Sequence, residues 1–373
     1  MNKPSSQTIL SAQTADEFKA LLLGLGVSRF LLVCGRSFDS LPIADAVKSC
    51  GMPFARFSAF SPNPRYEEAC AAARLFNAES CGGIVAAGGG SAIDVAKCVK
   101  LFCRMDNSAD YLGQAYRENG VPLIAIPTTA GSGSESTHFA AVYVSGVKRS
   151  LADEALLPGH VILDPRSLDS LPVSIRKCTL LDALCQAIEA WWSVNSTERS
   201  IEYSKAALSL IMQSERRYLS GGNECNEAVQ TAANLAGRAI NIAKTTAAHA
   251  MSYGLTVMYG LPHGHAAALC LPAVWQRMLG KTGACRDARG EEYLKCIFSD
   301  ISRALGCEGP SQAAAFIGDW LGELEILPPA GVREEDIDIL TSSVNCERLG
   351  NNPIALDNDD IRGIYREILQ PRK

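Results

Sequence analysis

The chain has 373 residues, with 35 Lys and Arg against 40 Asp and Glu, and a net charge of −5 spread over both signs. That balance excludes a nucleic-acid surface, which needs a concentrated basic patch, and the length exceeds one typical core, so two domains are expected. No apolar run approaches a membrane span, and the N-terminal stretch has none long enough for a signal peptide.

Fourteen cysteines are scattered along the chain without a CxxC pair. Several (Cys81, Cys98, Cys185, Cys270) sit in apolar runs, where a thiol behaves as a small hydrophobe. A reducing cytoplasm is the expected home.

In the first half, short apolar runs alternate with helical stretches. Residues 28–35, 53–60, 81–91 and 121–129 read as strands, and 42–51, 66–80 and 92–103 as helices. This alternation predicts a parallel, doubly wound sheet, which binds ligands at the carboxyl ends of its strands. From about Pro172 β-branched runs fade and helical stretches follow one another: 178–194, 200–219, 225–259 and several shorter ones. The expectation is an α/β domain over 1–172 and an all-helical domain over 173–373, with a cleft between them as the natural place for a site.

Two loops carry the signal for a phosphate-bearing ligand. Gly88-Gly89-Gly90-Ser91 closes a strand and opens a helix, where backbone N–H groups are available to an anion. Thr128-Thr129-Ala130-Gly131-Ser132-Gly133-Ser134 follows the next apolar strand in the same way. Asp94, one turn into its helix, reads either as a charge favourable to the helix dipole or as a polar wall of the site.

In the second half, three of the five histidines fall within seventeen residues, at His249, His263 and His265. His249 lies in an uncharged helical run, and His263 lies in the turn expected from Gly260, Pro262 and Gly264. Asp182 and Gln186 are four apart on one face of an apolar helix. A buried carboxylate needs a counter-charge, and Asp182, His249 and His263, with Gln186 as a weak neutral fourth, form a plausible set for a divalent ion. The alternatives are satisfied core histidines and an Asp182 paired with Arg176 or Lys177. Glu189 reads as a solvated residue or one behind the ligands.

Several blocks together, GGGSAIDVAK (88–97), IPTTAGSGSEST (126–137), ILDPRSLDSLP (162–172), DALCQAIEA (182–190), HAMSYGLTVMYGLPHGHAAALCLP (249–272) and NNP (351–353), resemble the iron-containing, or group III, alcohol dehydrogenases. The resemblance implies NAD(P) on the N-terminal domain and a divalent metal (Fe2+, Zn2+ or Mn2+) held by Asp182, His249 and His263. Gln186 stands where the family usually has His, and Tyr253 where many members have a second His near the nicotinamide. The cofactor-binding positions implied are Gly35, Arg36, Ser37, Asn63, Gly89, Gly90, Ser91, Asp94, Thr128, Thr129, Ser132 and Lys148.

The first strand ends at Gly35 where NAD-preferring members commonly carry an Asp, and Arg36 follows, so NADPH is expected over NADH. The texture of DALCQ, WWSVNSTE, HAMSY and YGLPHGHA is most like the phosphonoacetaldehyde reductase branch. That implies metal-assisted hydride transfer to a phosphonate-bearing aldehyde, with a proton supplied by water or Tyr253. His138, Ser193, Asn195 and His265 are candidates for the phosphonate pocket. A homo-oligomer, as a dimer, is implied by the resemblance alone. Rival expectations are a general short-chain alcohol dehydrogenase, a dehydroquinate-synthase-like lyase, and an idle binding protein.

Overall fold

A computed structural model describes residues 7–10 and 14–369. The chain folds as two compact units, Met1–Leu171 and Pro172–Lys373. No helix of the described residues is long and apolar enough to cross a membrane.

The first unit runs β1 (Thr8–Leu10), α1 (Ala15–Gly24), β2 (Phe30–Cys34), α2 (Pro42–Ser49), β3 (Phe54–Phe57), α3 (Tyr66–Ala78), β4 (Gly83–Gly88), α4 (Gly90–Phe102), β5 (Leu123–Pro127), β6 (Phe139–Val144), β7 (Val147–Ala152) and β8 (His160–Ile162). Six strands form one sheet in the order β1-β8-β5-β4-β2-β3, every neighbouring pair parallel. The period of two along each strand divides its side chains between two cores. Phe30, Leu32, Val85, Ala87, Ile124, Ile126 and Ile162 pack with Phe18 and Leu22 of α1 and Ile43 and Val47 of α2. Leu31, Val33, Ile84, Ala86, Leu123, Ala125 and Val161 pack with Ala72 and Phe76 of α3 and Ile93, Ala96 and Val99 of α4. Both faces are covered, which is why β2, β4 and β5 read as unbroken apolar runs. The sheet is the doubly wound one expected.

Elements without a strong pattern escape the sequence. β8 has only three residues, and β7 is charged and largely exposed. β6 and β7 pair antiparallel from Phe139↔Ala152 to Val144↔Val147. Ser145 and Gly146 join them with φ of 49° and 80°, the double positive φ that suits the twist of a tight hairpin.

The second unit contains α5 (Val173–Trp192), α6 (Glu198–Leu219), α7 (Asn226–Ala243), α8 (Ala247–Tyr259), α9 (His263–Leu279), α10 (Glu291–Ala304), α11 (Pro310–Glu323), α12 (Glu334–Ser343), α13 (Cys346–Leu349) and α14 (Asn358–Leu369). From Leu180 to Trp192 every residue of α5 is buried. Trp192 meets Trp275 and Phe298 edge-on, with centroids 5.4 and 6.0 Å apart. The stretch 225–259 is not one helix. Lys244 adopts φ 62°, ending α7 and letting α8 start afresh at Ala247.

The turn after α8 is shorter than expected. Gly260 takes the left-handed conformation at φ 67° and ends α8, whereas His263 is already the first residue of α9 and Gly264 lies inside that helix. Gly264 is there for clearance. A Cβ on it would lie 2.0 Å from the Cys178 carbonyl oxygen and 2.8 Å from Asp182 Cβ, so the missing side chain lets α9 approach the backbone of α5. Gly264→Ala is expected to cost about 3 kcal/mol or more, at the upper end of overpacking penalties. Urea denaturation measures it, and an unchanged midpoint would contradict the close approach.

Candidate metal centre and nucleotide loops

Three side chains from three helices converge in the second unit. Asp182 of α5, His249 of α8 and His263 at the start of α9 each offer a ligand atom within 4.8 Å of the other two. His249 Nε2 lies 3.3 Å from Asp182 Oδ1, and the His249 and His263 rings are 5.2 Å apart at 68°. Asp182 and His249 are buried and His263 is half-buried. Gln186, one turn along α5, is buried and hydrogen-bonds the Asp182 side chain. Arg176 and Lys177 are engaged elsewhere: Arg176 donates to the Tyr218 carbonyl at 3.0 Å, and Lys177 to the Leu324 carbonyl at 2.8 Å.

Glu189 is the residue behind the ligands rather than a solvated one. It is 0% exposed, and its carboxylate does two jobs. Oε2 accepts from His249 Nδ1. Oε1 accepts from the Thr246 hydroxyl at 2.8 Å, the Thr246 N–H at 3.0 Å and the His249 N–H at 3.3 Å. These donors are at the start of α8, where backbone N–H groups lack intrahelical partners and favour negative charge. Holding Nδ1 as the donor leaves Nε2 facing Asp182. The signal was in the sequence: Asp182, Gln186 and Glu189 follow an i, i+4, i+7 stripe.

Two buried carboxylates call for positive charge. Burial alone lowers the basicity of His249, but the Glu189 charge and the hydrogen bonds that the ring donates to Asp182 and Glu189 outweigh it, and its pKa rises to about 10. Burial raises the Asp182 carboxyl, yet the hydrogen bond from His249 and the charge of His263 bring it below its ordinary value. Glu189 is likewise pushed up by burial and brought down by His249. One carboxylate and two imidazoles, one of them oriented by a further carboxylate, are a donor set that fits a divalent transition metal.

Tyr253 lies one turn beyond His249 on α8. Its ring stacks on His263 at 5.2 Å and 10°, and the Arg348 guanidinium lies 4.9 Å from its centroid.

In the first unit the two small-residue loops follow the adjacent strands β4 and β5. Gly89 caps α4 in extended conformation. A Cβ on Gly89 would lie 3.2 Å from Thr129 Oγ1, and one on Gly90 3.0 Å from Ser132 Oγ, so the glycines let the loops close on each other. Thr128 N–H donates to the Gly88 carbonyl at 3.0 Å, and Asn63 N–H to Ser91 Oγ at 3.3 Å. Gly35, Arg36 and Ser37 follow β2, with Arg36 and Ser37 exposed. Arg56 was missed by sequence reasoning. Its guanidinium donates to the Gly35 carbonyl at 3.2 Å and to Asp39 at 2.6 Å.

Asp94 lies one turn into α4. Its carboxylate accepts from Ser134 Oγ at 2.7 Å and Ala141 N–H at 3.0 Å, so it braces the second loop from beneath. Buried Lys97 helps, donating to Ser134 Oγ and Thr137 Oγ1, each at 3.1 Å. Lys148 lies on β7, and its charge acts on Asp94. The phosphonate-pocket candidates each have partners within the protein. Ser193 is buried and donates to the Ala243 carbonyl at 2.6 Å. Asn195 donates to Asn351 at 2.9 Å. His265 Nε2 pairs with the Leu327 carbonyl at 2.8 Å, and His138, in the first unit, packs its ring on Phe139.

Comparison with known proteins agrees with this layout. Residues 5–165 match the family model described as iron-containing alcohol dehydrogenase, and 177–369 the C-terminal model of that family. The chain is 29% identical over 354 residues to a phosphonoacetaldehyde reductase of Streptomyces viridochromogenes, covering 91% of this chain and 89% of the relative. It is 34% identical over 271 residues to a probable alcohol dehydrogenase of Escherichia coli, covering 70% and 67%. A crystal structure of sulfoacetaldehyde reductase from Bifidobacterium kashiwanohense in complex with NAD+ superposes with a TM-score of 0.85 at 26% identity, over 100% of this chain and 98% of the other.

Glu189→Gln keeps the shape but removes the charge behind His249, and should weaken metal affinity about 10- to 100-fold. Chelator competition measures this, and unchanged affinity would contradict the orienting role. At neutral pH His249 without an ion holds a proton, since its pKa of about 10 lies above the solution pH. Loading an ion must therefore release that proton, and affinity should climb with pH below about 10. Calorimetry in buffers of different ionisation enthalpy reads the release, and finding none would contradict it.

Proposed function

The chain belongs to the iron-containing alcohol dehydrogenase family and is an NAD-linked oxidoreductase of alcohols or aldehydes; within that family we propose that it reduces phosphonoacetaldehyde to 2-hydroxyethylphosphonate with NADPH. The observation that carries the chemistry is the convergence of Asp182, His249 and His263 within 4.8 Å. In this reading these three hold the ion, with Gln186 as a neutral fourth donor. When bound, a divalent ion supplies Lewis-acid polarisation of the aldehyde, and the nicotinamide supplies hydride.

The chain's own groups do the rest. Asp182 balances charge, Glu189 fixes the His249 ring, and Tyr253 on the face of His263 is the residue to which we assign proton delivery to the product hydroxyl. In the first unit, the N–H groups at the start of α4 and the Thr128–Ser134 loop bind the pyrophosphate. Gly35 in place of an acid, with Arg36 just after β2 and Arg56 reaching across from β3, supports the 2′-phosphate of NADPH.

Support for the substrate is chemical. The relatives include reductases of phosphonoacetaldehyde and sulfoacetaldehyde, both two-carbon aldehydes ending in a tetrahedral oxyanion. Oxidation of NADPH and NADH by the metal-loaded protein, with phosphonoacetaldehyde beside uncharged short aldehydes, tests the proposal. A kcat/KM at least about tenfold higher for the phosphonate, a difference worth about 1.4 kcal/mol, is expected. Equal or faster turnover of simple aldehydes would make it a general short-chain alcohol dehydrogenase. Asp182→Ala should lose both metal and turnover, and activity retained at full metal content would contradict the ligand assignment.

A further inference from the structure

Arg348 is a cation fixed beside the donor cluster. The guanidinium lies 4.9 Å from the Tyr253 centroid, and the Tyr253 ring lies 5.2 Å from that of His263. The guanidinium is therefore at most about 10 Å from a ring of the donor cluster. Arg348 Nη1 also donates to Thr245 Oγ1 at 3.2 Å, and Thr245 is two residues before α8, the helix that carries both His249 and Tyr253.

The backbone that presents Arg348 is anchored as well. Its N–H donates to Asn345 Oδ1 at 3.1 Å, and its carbonyl accepts from Asn351 N–H at 3.1 Å. Asn351 Nδ2 donates to the Thr245 carbonyl at 3.1 Å, and the Asn351 carbonyl accepts from Val194 N–H at 3.1 Å. Asn352 is fully buried and donates to the Ile354 carbonyl at 2.8 Å. The NNP motif thus ties the segment carrying Arg348 to the start of α8 and the end of α5. A half-exposed cation held this firmly is unusual, because arginine at a surface ordinarily keeps its rotamer freedom.

We propose that Arg348, laid on the Tyr253 ring, is the specificity-determining residue that recognises the terminal oxyanion of a short aldehyde whose carbonyl is at the Asp182–His249–His263 cluster. The inference rests on the function proposed above and adds the residue that selects the substrate. A guanidinium is planar and carries five N–H donors, so it pairs with the oxygens of a phosphonate or sulfonate through charge-assisted hydrogen bonds. Stacking on tyrosine pre-organises it and adds a cation–π attraction. The guanidinium and the donor cluster are close enough for one short aldehyde to reach both. An uncharged aldehyde has nothing to offer Arg348.

The test compares wild type, Arg348→Ala and Arg348→Lys as metal-loaded, full-length protein. Three quantities are read: metal content, the ratio of kcat/KM for phosphonoacetaldehyde over propanal, and calorimetric binding of ethylphosphonate and ethanesulfonate. For Arg348→Ala the ratio is expected to fall about 100-fold, the loss of charge-assisted hydrogen bonds, with ethylphosphonate binding lost and metal content unchanged. Arg348→Lys keeps a charge without the fork and should retain an intermediate ratio, which also covers the case of an alanine variant that does not fold.

Comparison of ethylphosphonate with ethanesulfonate shows which oxyanion the wild type prefers, and tight binding of either supports the proposal. A wild-type preference for phosphonoacetaldehyde that survives in Arg348→Ala overturns the assignment of Arg348 and leaves the proposed function standing. A fall of equal size on both aldehydes assigns Arg348 to structure alone and overturns the inference. A wild type that prefers propanal and binds neither anion overturns both.

Discussion

The carboxylate of Glu189 is the interaction on which the second unit's chemistry depends. It is fully buried in the last turn of α5, and it closes the first turn of α8 and grips His249. A buried carboxylate without partners would be costly. Here it accepts two N–H groups, a hydroxyl and an imidazole, so the cost is met by the groups that it positions. The same contact fixes where α8 begins, which way His249 faces, and which of its nitrogens turns to Asp182. Thr246 is held from a second side, since Trp192 Nε1 donates to its hydroxyl at 2.9 Å.

Close backbone approach completes the arrangement. Gly264 allows α9 to press against α5 at Cys178 and Asp182, which places His263 beside the other donors. Gly89 and Gly90 act in the same way in the first unit, letting the loops after β4 and β5 close on each other. In both units the glycines serve clearance rather than left-handed backbone, for neither Gly264 nor Gly89 has a positive φ. Asp94 and buried Lys97 play a similar part in the first unit, holding the Thr128–Ser134 loop from behind.

Much of this was legible in the sequence because the relevant signals are local. The parallel sheet follows from apolar runs buried on both faces, and the Asp182, His249 and His263 set follows from polar residues stranded in apolar helices. Glu189 was readable in principle from its stripe with Asp182 and Gln186, but a lone Glu near a helix end is more often solvated, and only burial distinguishes the two. Tyr253 and Arg348 meet because α13 lies beside α8, and Arg348 is 85 residues beyond His263, a distance that no spacing rule spans. The exposed hairpin and the three-residue β8 were missed because neither has a strong apolar pattern of its own.

The central claim is that three helices deliver one carboxylate and two imidazoles to a single divalent ion. X-ray absorption at the metal edge of the loaded protein tests it most directly, because imidazole rings give distinctive outer-shell scattering. Two imidazole nitrogens and at least one oxygen at about 2.0–2.2 Å are the predicted shell. A shell with no imidazole, or with a sulfur at about 2.3 Å, would contradict the claim and place the ion elsewhere in the protein.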